Sequence, residues 1–193
     1  MTTVVLKMLC ILLFAVFISA QVMPMTDFDL EKMGGKWYLV GFATNAKRFV
    51  THHKADMKMA TAVMVPTEDG DLDISYGHLK SDGSCFRMHH LAKKTEITGR
   101  FVFDNELWGN SNYMHVVNGK FDEYALVHTI KTQGGESEIL SKLHTRTTKI
   151  TDDLKEKFKQ FRLDTGILEE NIAILPMNGE CSDAKVSHPS KKI

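Results

Sequence analysis

Nine histidines, three cysteines and a scatter of lysines are the side chains of this 193-residue chain that could do chemistry. Two pairs of histidines are adjacent, His52-His53 and His89-His90. Neighbours on a strand point to opposite faces, so such pairs chelate poorly and no metal site is expected. A Ser-His-Asp triad finds no support, because no serine sits in a nucleophile elbow. Cys10 falls in an apolar leader, leaving Cys85 and Cys181. An even pair in an exported chain predicts one disulfide. That pairing would leave no free thiol as nucleophile, and no cofactor is expected.

The leader itself is legible. Lys7 precedes an unbroken apolar run from Met8 to Ile18, closed by Ser19-Ala20. A basic start, a short apolar stretch and a small residue at the end make residues 1–20 a secretory signal peptide. The run is too short for a transmembrane helix, which takes about 20 apolar residues. About 170 residues remain, enough for one domain with its own core. Lys and Arg number 24 against 24 Asp and Glu, so losing Lys7 leaves the mature chain near neutral. That balance argues against a nucleic-acid partner. No Asn-x-Ser/Thr acceptor occurs, so N-glycosylation is not expected.

These residues must be held by elements, and the punctuation of the chain says which. Turn signals recur at Pro66-Thr67-Glu68-Asp69-Gly70, Ser81-Asp82-Gly83-Ser84, Thr98-Gly99, Asp104-Asn105, Asn118-Gly119 and Gln133-Gly134-Gly135. Between them lie short runs at 38–43, 55–65, 71–80, 85–93, 99–104, 111–117, 123–131 and 137–145, eight candidate strands. Leu72, Ile74 and Tyr76 alternate with polar neighbours, as a strand with one buried face should. Many short antiparallel strands predict a sandwich or a closed barrel. Residues 45–54 read as a long polar loop. Then Thr151-Asp152-Asp153 caps a helix with Leu154, Phe158 and Phe161 on one face, ended by Gly166. Ile172 to Leu175 is a last short strand, and residues 182–193 a loose tail.

Gly34-Gly35-Lys36-Trp37-Tyr38 stands ahead of the first strand, where paired glycines let a large Trp pack closely. With eight strands and one helix following, the chain resembles the lipocalin family. Gly35-Lys36-Trp37 matches the family's first motif. Residues 121–127 resemble the second, with Gly119-Lys120 replacing its usual Thr-Asp pair. Leu143-His144-Thr145-Arg146-Thr147 resembles the third. The resemblance covers about residues 28–181 and leans to the prostaglandin D synthase branch. It implies an eight-stranded antiparallel up-and-down barrel with a C-terminal α-helix, the domain spanning 21–181. It also implies that Arg146 packs over Trp37 as a cation–π contact, and that Cys85 and Cys181 form the family's common disulfide.

The synthases use one cysteine thiol on the second strand. Alignment back from Pro66 places that position at Ala60, with no thiol at Met59 or Thr61. A methyl group cannot replace a thiolate nucleophile, so binding without catalysis is expected. The same alignment implies a cavity lining. It comprises Lys58, Ala60, Ala62 and Met64; Ile74, Tyr76 and His78; Phe86, Met88 and His90; then Phe103, Asn112, Met114 and His128. Methionines make such a lining adaptable, and Lys58 and the histidines could meet a carboxylate.

The expectation is thus a secreted, extracellular carrier of a fatty acid, retinoid or prostanoid. A monomer without membrane insertion is expected, with a cell-surface receptor as a further partner. Two alternatives are a prostaglandin-H2 D-isomerase, disfavoured by Ala60, and a siderophore-sequestering lipocalin. The latter would want a basic trio, but Leu140 stands at one of those positions beside Lys131. Trp108, near a strand turn, reads as barrel packing.

Overall fold

A computed structural model describes residues 22–106, 108–177 and 180–181. The signal peptide read at 1–20 and the tail at 182–193 lie outside these. The strands are β1 Gly35–Thr44, β2 Ala60–Pro66, β3 Leu72–Leu79, β4 Cys85–Lys94, β5 Arg100–Asn105, β6 Asn110–Lys120, β7 Tyr124–Gln133, β8 Glu136–Thr145 and β9 Ile172–Ile174. Short α1 (Leu30–Met33) precedes β1, and α2 (Asp152–Asp164) follows β8. All pairings are antiparallel between consecutive strands, and β1 closes the ring by pairing with both β2 and β8. The eight-stranded barrel and C-terminal helix expected from the sequence are therefore present, with β9 added beside the second half of β1.

Two departures from the sequence reading concern ends and turns. The second strand starts at Ala60, not residue 55. Residues Phe49–His53 and Lys54–Asp56 instead coil into a wide π-helical turn followed by a tight 3-10 turn. Lys, Ala and Asp are poor strand formers, so local preference keeps this stretch out of the sheet. Asn118-Gly119 is no turn but part of β6, which runs past a bulge between Val116 and Asn118. A bulge absorbs one extra residue and bends the strand, so a turn-like dipeptide can sit within a ladder.

Apolar burial falls into two clusters, one filling the closed end of the barrel and the other running from the inner wall near Leu39 through β1 to the outside under α2. Inside, Trp37, Ala62, Met64, Leu72, Ile74, Phe101 and Met114 fill one end. Residues ahead of β1 cover that end: Phe28 meets Phe101 and Phe121 edge-on at 5.8 and 5.9 Å. Outside, Leu126 and Leu143 pack with Leu154, Phe158 and Phe161 of α2. Thr151 caps α2, its hydroxyl accepting from the Leu154 N–H at 3.3 Å, with Asp152 and Asp153 in the first turn. Fully burying a side chain such as Phe158 stabilises by roughly 1.5–3 kcal/mol, which holds the helix to the wall. Cys85 and Cys181 are joined by the expected disulfide, tying the C-terminal segment to β4.

Candidate functional site

The end of the barrel opposite Trp37 is open. A cavity of about 1050 Å³ enters there, bordered by the coiled turns at His52, His53 and Asp56. A second lobe of about 1160 Å³ adjoins it, sharing Phe42, Met57, His78 and Trp108.

Ladder register decides which side chains face the cup, because alternate residues share a face. Ala60, Tyr76, His78, Phe86 and Met88 border the cavity, with Leu39 and Phe42 of β1. Lys58 also borders it, but is exposed at the rim before β2 begins. Ala62, Met64, Ile74 and Met114 lie deeper and are buried around Trp37, as the floor. His90 and Phe103 stack below the opening at 4.0 Å between rings. Asn112 is buried beside them, donating from its side chain to the Asn110 Oδ1 at 2.8 Å.

His128 is placed elsewhere. On β7 it pairs with Ser141 of β8 and lies two residues from Leu126, which packs under α2. It therefore faces outward, 5.9 Å from the His115 ring, and is corrected out of the lining. Both faces of β7 are covered, so alternation there cannot tell inside from outside.

The sequence reading missed Lys142. This residue of β8 sits opposite Phe42 of β1 and Val127 of β7, and its side chain borders the cavity. Its Nζ stands 5.5 Å from the centre of the Tyr76 ring. Burial pushes the ammonium down to about 8. Two residues along the same face, His144 is fully buried and neither ring nitrogen has a hydrogen-bond partner. Burial, helped by the Lys142 charge, holds its pKa at about 3, so it is neutral at physiological pH. Burial likewise lowers His90 to about 4, with Lys142 and His89 adding repulsion. Burial also raises the Tyr76 phenol, keeping it protonated. The inner cup thus combines apolar walls, neutral hydrogen-bonding rings and one half-buried amine.

Trp108 was read as packing. It is nearly half exposed and stacks on Phe86 at the mouth, 6.3 Å between rings and 12° from parallel. A turn residue gives no period to follow, which hid this. Lys131 lines the second lobe and is ion-paired to Glu138 at 3.3 Å. Among the described residues, no three His, Cys, Asp or Glu side chains come together as metal ligands. No helix among them is long and apolar enough to cross a membrane.

Comparison with known proteins agrees with this architecture. The sequence profile of the lipocalin / cytosolic fatty-acid binding protein family matches residues 34–178. A protein of Rhinella marina called lipocalin is 36% identical over 181 residues, covering 94% of this chain and 98% of its own. A prostaglandin-H2 D-isomerase of Canis lupus familiaris is 30% identical over 166 residues, covering 86% of each chain. The solved structure of the siderocalin Ex-FABP superposes with a TM-score of 0.66 at 24% identity, covering 78% of this chain and 99% of that one. Barrel, helix, motif residues and relatives converge, and this chain belongs to the lipocalin / cytosolic fatty-acid binding protein family.

Proposed function

We propose that this protein is an extracellular carrier that holds one lipophilic molecule with an acidic head, a fatty acid, retinoid or prostanoid. The observation that carries this reading is the cavity of about 1050 Å³ walled by Leu39, Phe42, Tyr76, Phe86 and Met88 with Lys142 inside it. An apolar wall with few polar groups is what a small-molecule site needs. A charge in a low-dielectric cup attracts an opposite charge far more strongly than one in water. Lys142 is therefore the better carboxylate partner, and the exposed Lys58 at the rim the weaker one. The Cys85–Cys181 disulfide supports an oxidising, extracellular location.

The isomerase reading lacks its thiol nucleophile. Ala60 borders the cavity, and the two cysteines among the described residues are bonded to each other. The siderophore reading is weaker: of the basic positions it wants, Lys131 is paired with Glu138 and Leu140 replaces another, although Lys47 and Arg48 also line the second lobe.

The test is tryptophan fluorescence, with Trp108 at the mouth as reporter, titrated with retinoic acid and retinol. Saturable quenching with preference for the acid is expected. Lys142→Met should abolish that preference and Lys58→Met should leave most of it. Loss on Lys58→Met alone would move the head group to the rim. No quenching by either ligand, or by a long-chain fatty acid, would refute the carrier reading.

A further inference from the structure

The half-buried amine of Lys142 has a consequence beyond attracting an acid. Among the described residues no carboxylate lies within ion-pair distance of Lys142, although seven other ion pairs form on this molecule. The face of Tyr76 lies 5.5 Å from its Nζ, and the rings beside it are His144, whose nitrogens make no hydrogen bond, and the neutral His90. The amine points into an apolar cavity open at one end. A lysine so placed is desolvated, uncompensated by an acid and reachable only by a guest that enters the cup.

We propose that Lys142 captures apolar aldehydes as a reversible imine inside the barrel. This rests on the cavity admitting a lipophilic guest, as proposed above. A lysine whose pKa is near 8 carries roughly a fifth of its population as free amine at pH 7.4, against about a thousandth for one in water. The free Nζ adds its lone pair to the carbonyl carbon. A C–N bond forms, and the carbonyl oxygen becomes a hydroxyl by taking up the proton that Nζ gives up. That hydroxyl then leaves as water, taking the second proton from Nζ, as the C=N bond forms. Aldehyde plus amine become imine plus water, and nothing is oxidised or reduced. His144 stands two residues along the same face, its ring nitrogens free to hydrogen-bond the hydroxyl of the adduct. With no carboxylate to stabilise an iminium, the adduct stays mostly as the neutral imine, so it is detected by trapping rather than by colour.

The oxidised, full mature protein is incubated with equimolar all-trans-retinal, and in parallel with a saturated long-chain aldehyde. Borohydride then fixes any imine as a secondary amine, and intact mass and peptide mapping locate it. The expected result is one adduct per chain on Lys142, at least tenfold over any other lysine and suppressed by excess retinol. Lys142→Gln should lose the adduct while its circular dichroism matches the parent; Lys159→Gln, on the exposed face of α2 away from the cavity, should keep both the adduct and the retinol quenching. Adducts spread over surface lysines, or indifferent to excess retinol, overturn the proposal. If Lys142→Gln does not fold, the retinol competition in the unaltered protein decides alone. Retinol binding without any Lys142 adduct sinks the imine and spares the carrier reading; absence of both sinks both.

Discussion

The guanidinium carbon of Arg146 lies 3.6 Å from the centre of the Trp37 ring, and the same group holds four backbone carbonyls. Its Nε donates to Phe121, one Nη to Lys36 and the other to Lys32 and Gly34, all at 2.8–2.9 Å. One side chain of the segment after β8 thus fastens the backbone leading into β1, the start of β1 and the turn before β7. Gly35 has a φ of 96° and an added Cβ would meet Arg146 at 3.2 Å, which explains a glycine there. Trp37 is fully buried, its indole donating to the Met33 carbonyl at 2.8 Å.

A lysine at position 146 would keep the charge and lose the planar fork. Arg146→Lys is therefore expected to lose roughly 1.5–3 kcal/mol, since most charge-assisted bonds go unmade. Trp37→Ala should lose about 3–5 kcal/mol through the cavity it leaves. Urea unfolding followed by circular dichroism measures both. An Arg146→Lys variant as stable as the parent would mean that this end of the barrel is held by packing alone.

Gly41 is where helix and barrel touch most closely. A Cβ there would stand 2.7 Å from a ring carbon of Phe158. Gly41→Ala should destabilise by about 1–3 kcal/mol, the usual cost of overpacking. Trimming the ring with Phe158→Leu should make the double variant less damaged than the sum of the two single ones. Strict additivity in thermal melts would show that the two residues do not share a contact.

Removing the Cys85–Cys181 bridge releases a span with a sequence separation of 96. The loop-entropy model puts such a closure at about 4.7 kcal/mol, with smaller values common in practice. A double Cys→Ser variant should melt at a markedly lower temperature, and reductant should lower only the parent's melting point. Equal melting points would mean that the bridge adds no stability.

Strands, helix and sealed end were legible because each leaves a local mark. Turn dipeptides bound most of the strands, Thr151 and Gly166 bracket α2, and Trp37 and Arg146 sit in recognisable motifs. The inner face of β2 to β4 was legible too, since one side there is wet: Leu72 and Ile74 are fully buried while Asp71 and Asp73 are not. Under α2 that logic fails. Leu143 packs outward on the helix, leaving Lys142 and His144 to face the cup. Apolarity marks the helix-covered side of β8 there, so pattern alone hides the half-buried lysine. The same ambiguity placed His128 inside.

Lys142 costs the fold something. Lowering an ammonium from 10.5 to about 8 corresponds to on the order of 3 kcal/mol, so Lys142→Met should raise stability. The unfolded chain holds this proton more tightly, so the cost is full below pH 8 and gone above about 10.5. The gain from Lys142→Met should therefore shrink as melts are repeated from pH 7.5 to 10. A destabilised Lys142→Met variant would mean that the amine has a partner worth more than its desolvation.

Acid acts on the histidines with the same sign. His90 and His128 sit at about 4 and His144 at about 3, against an ordinary value of 6.5, all chiefly through burial. Burial also lowers His115 and His78. A base with a depressed folded pKa is protonated first in the unfolded chain, so that chain binds more protons between about pH 6.5 and 4. Stability is then fully present above 6.5 and falls as pH drops through that window. His144→Gln and His128→Gln should each flatten the slope of melting temperature against pH between 6.5 and 4. His144→Gln should also weaken acid release of a bound retinoid, because only His144 of the two faces the cup. If His128→Gln alters release as much as His144→Gln, acid empties the cup through loosening of the wall, not through charge gained beside Lys142.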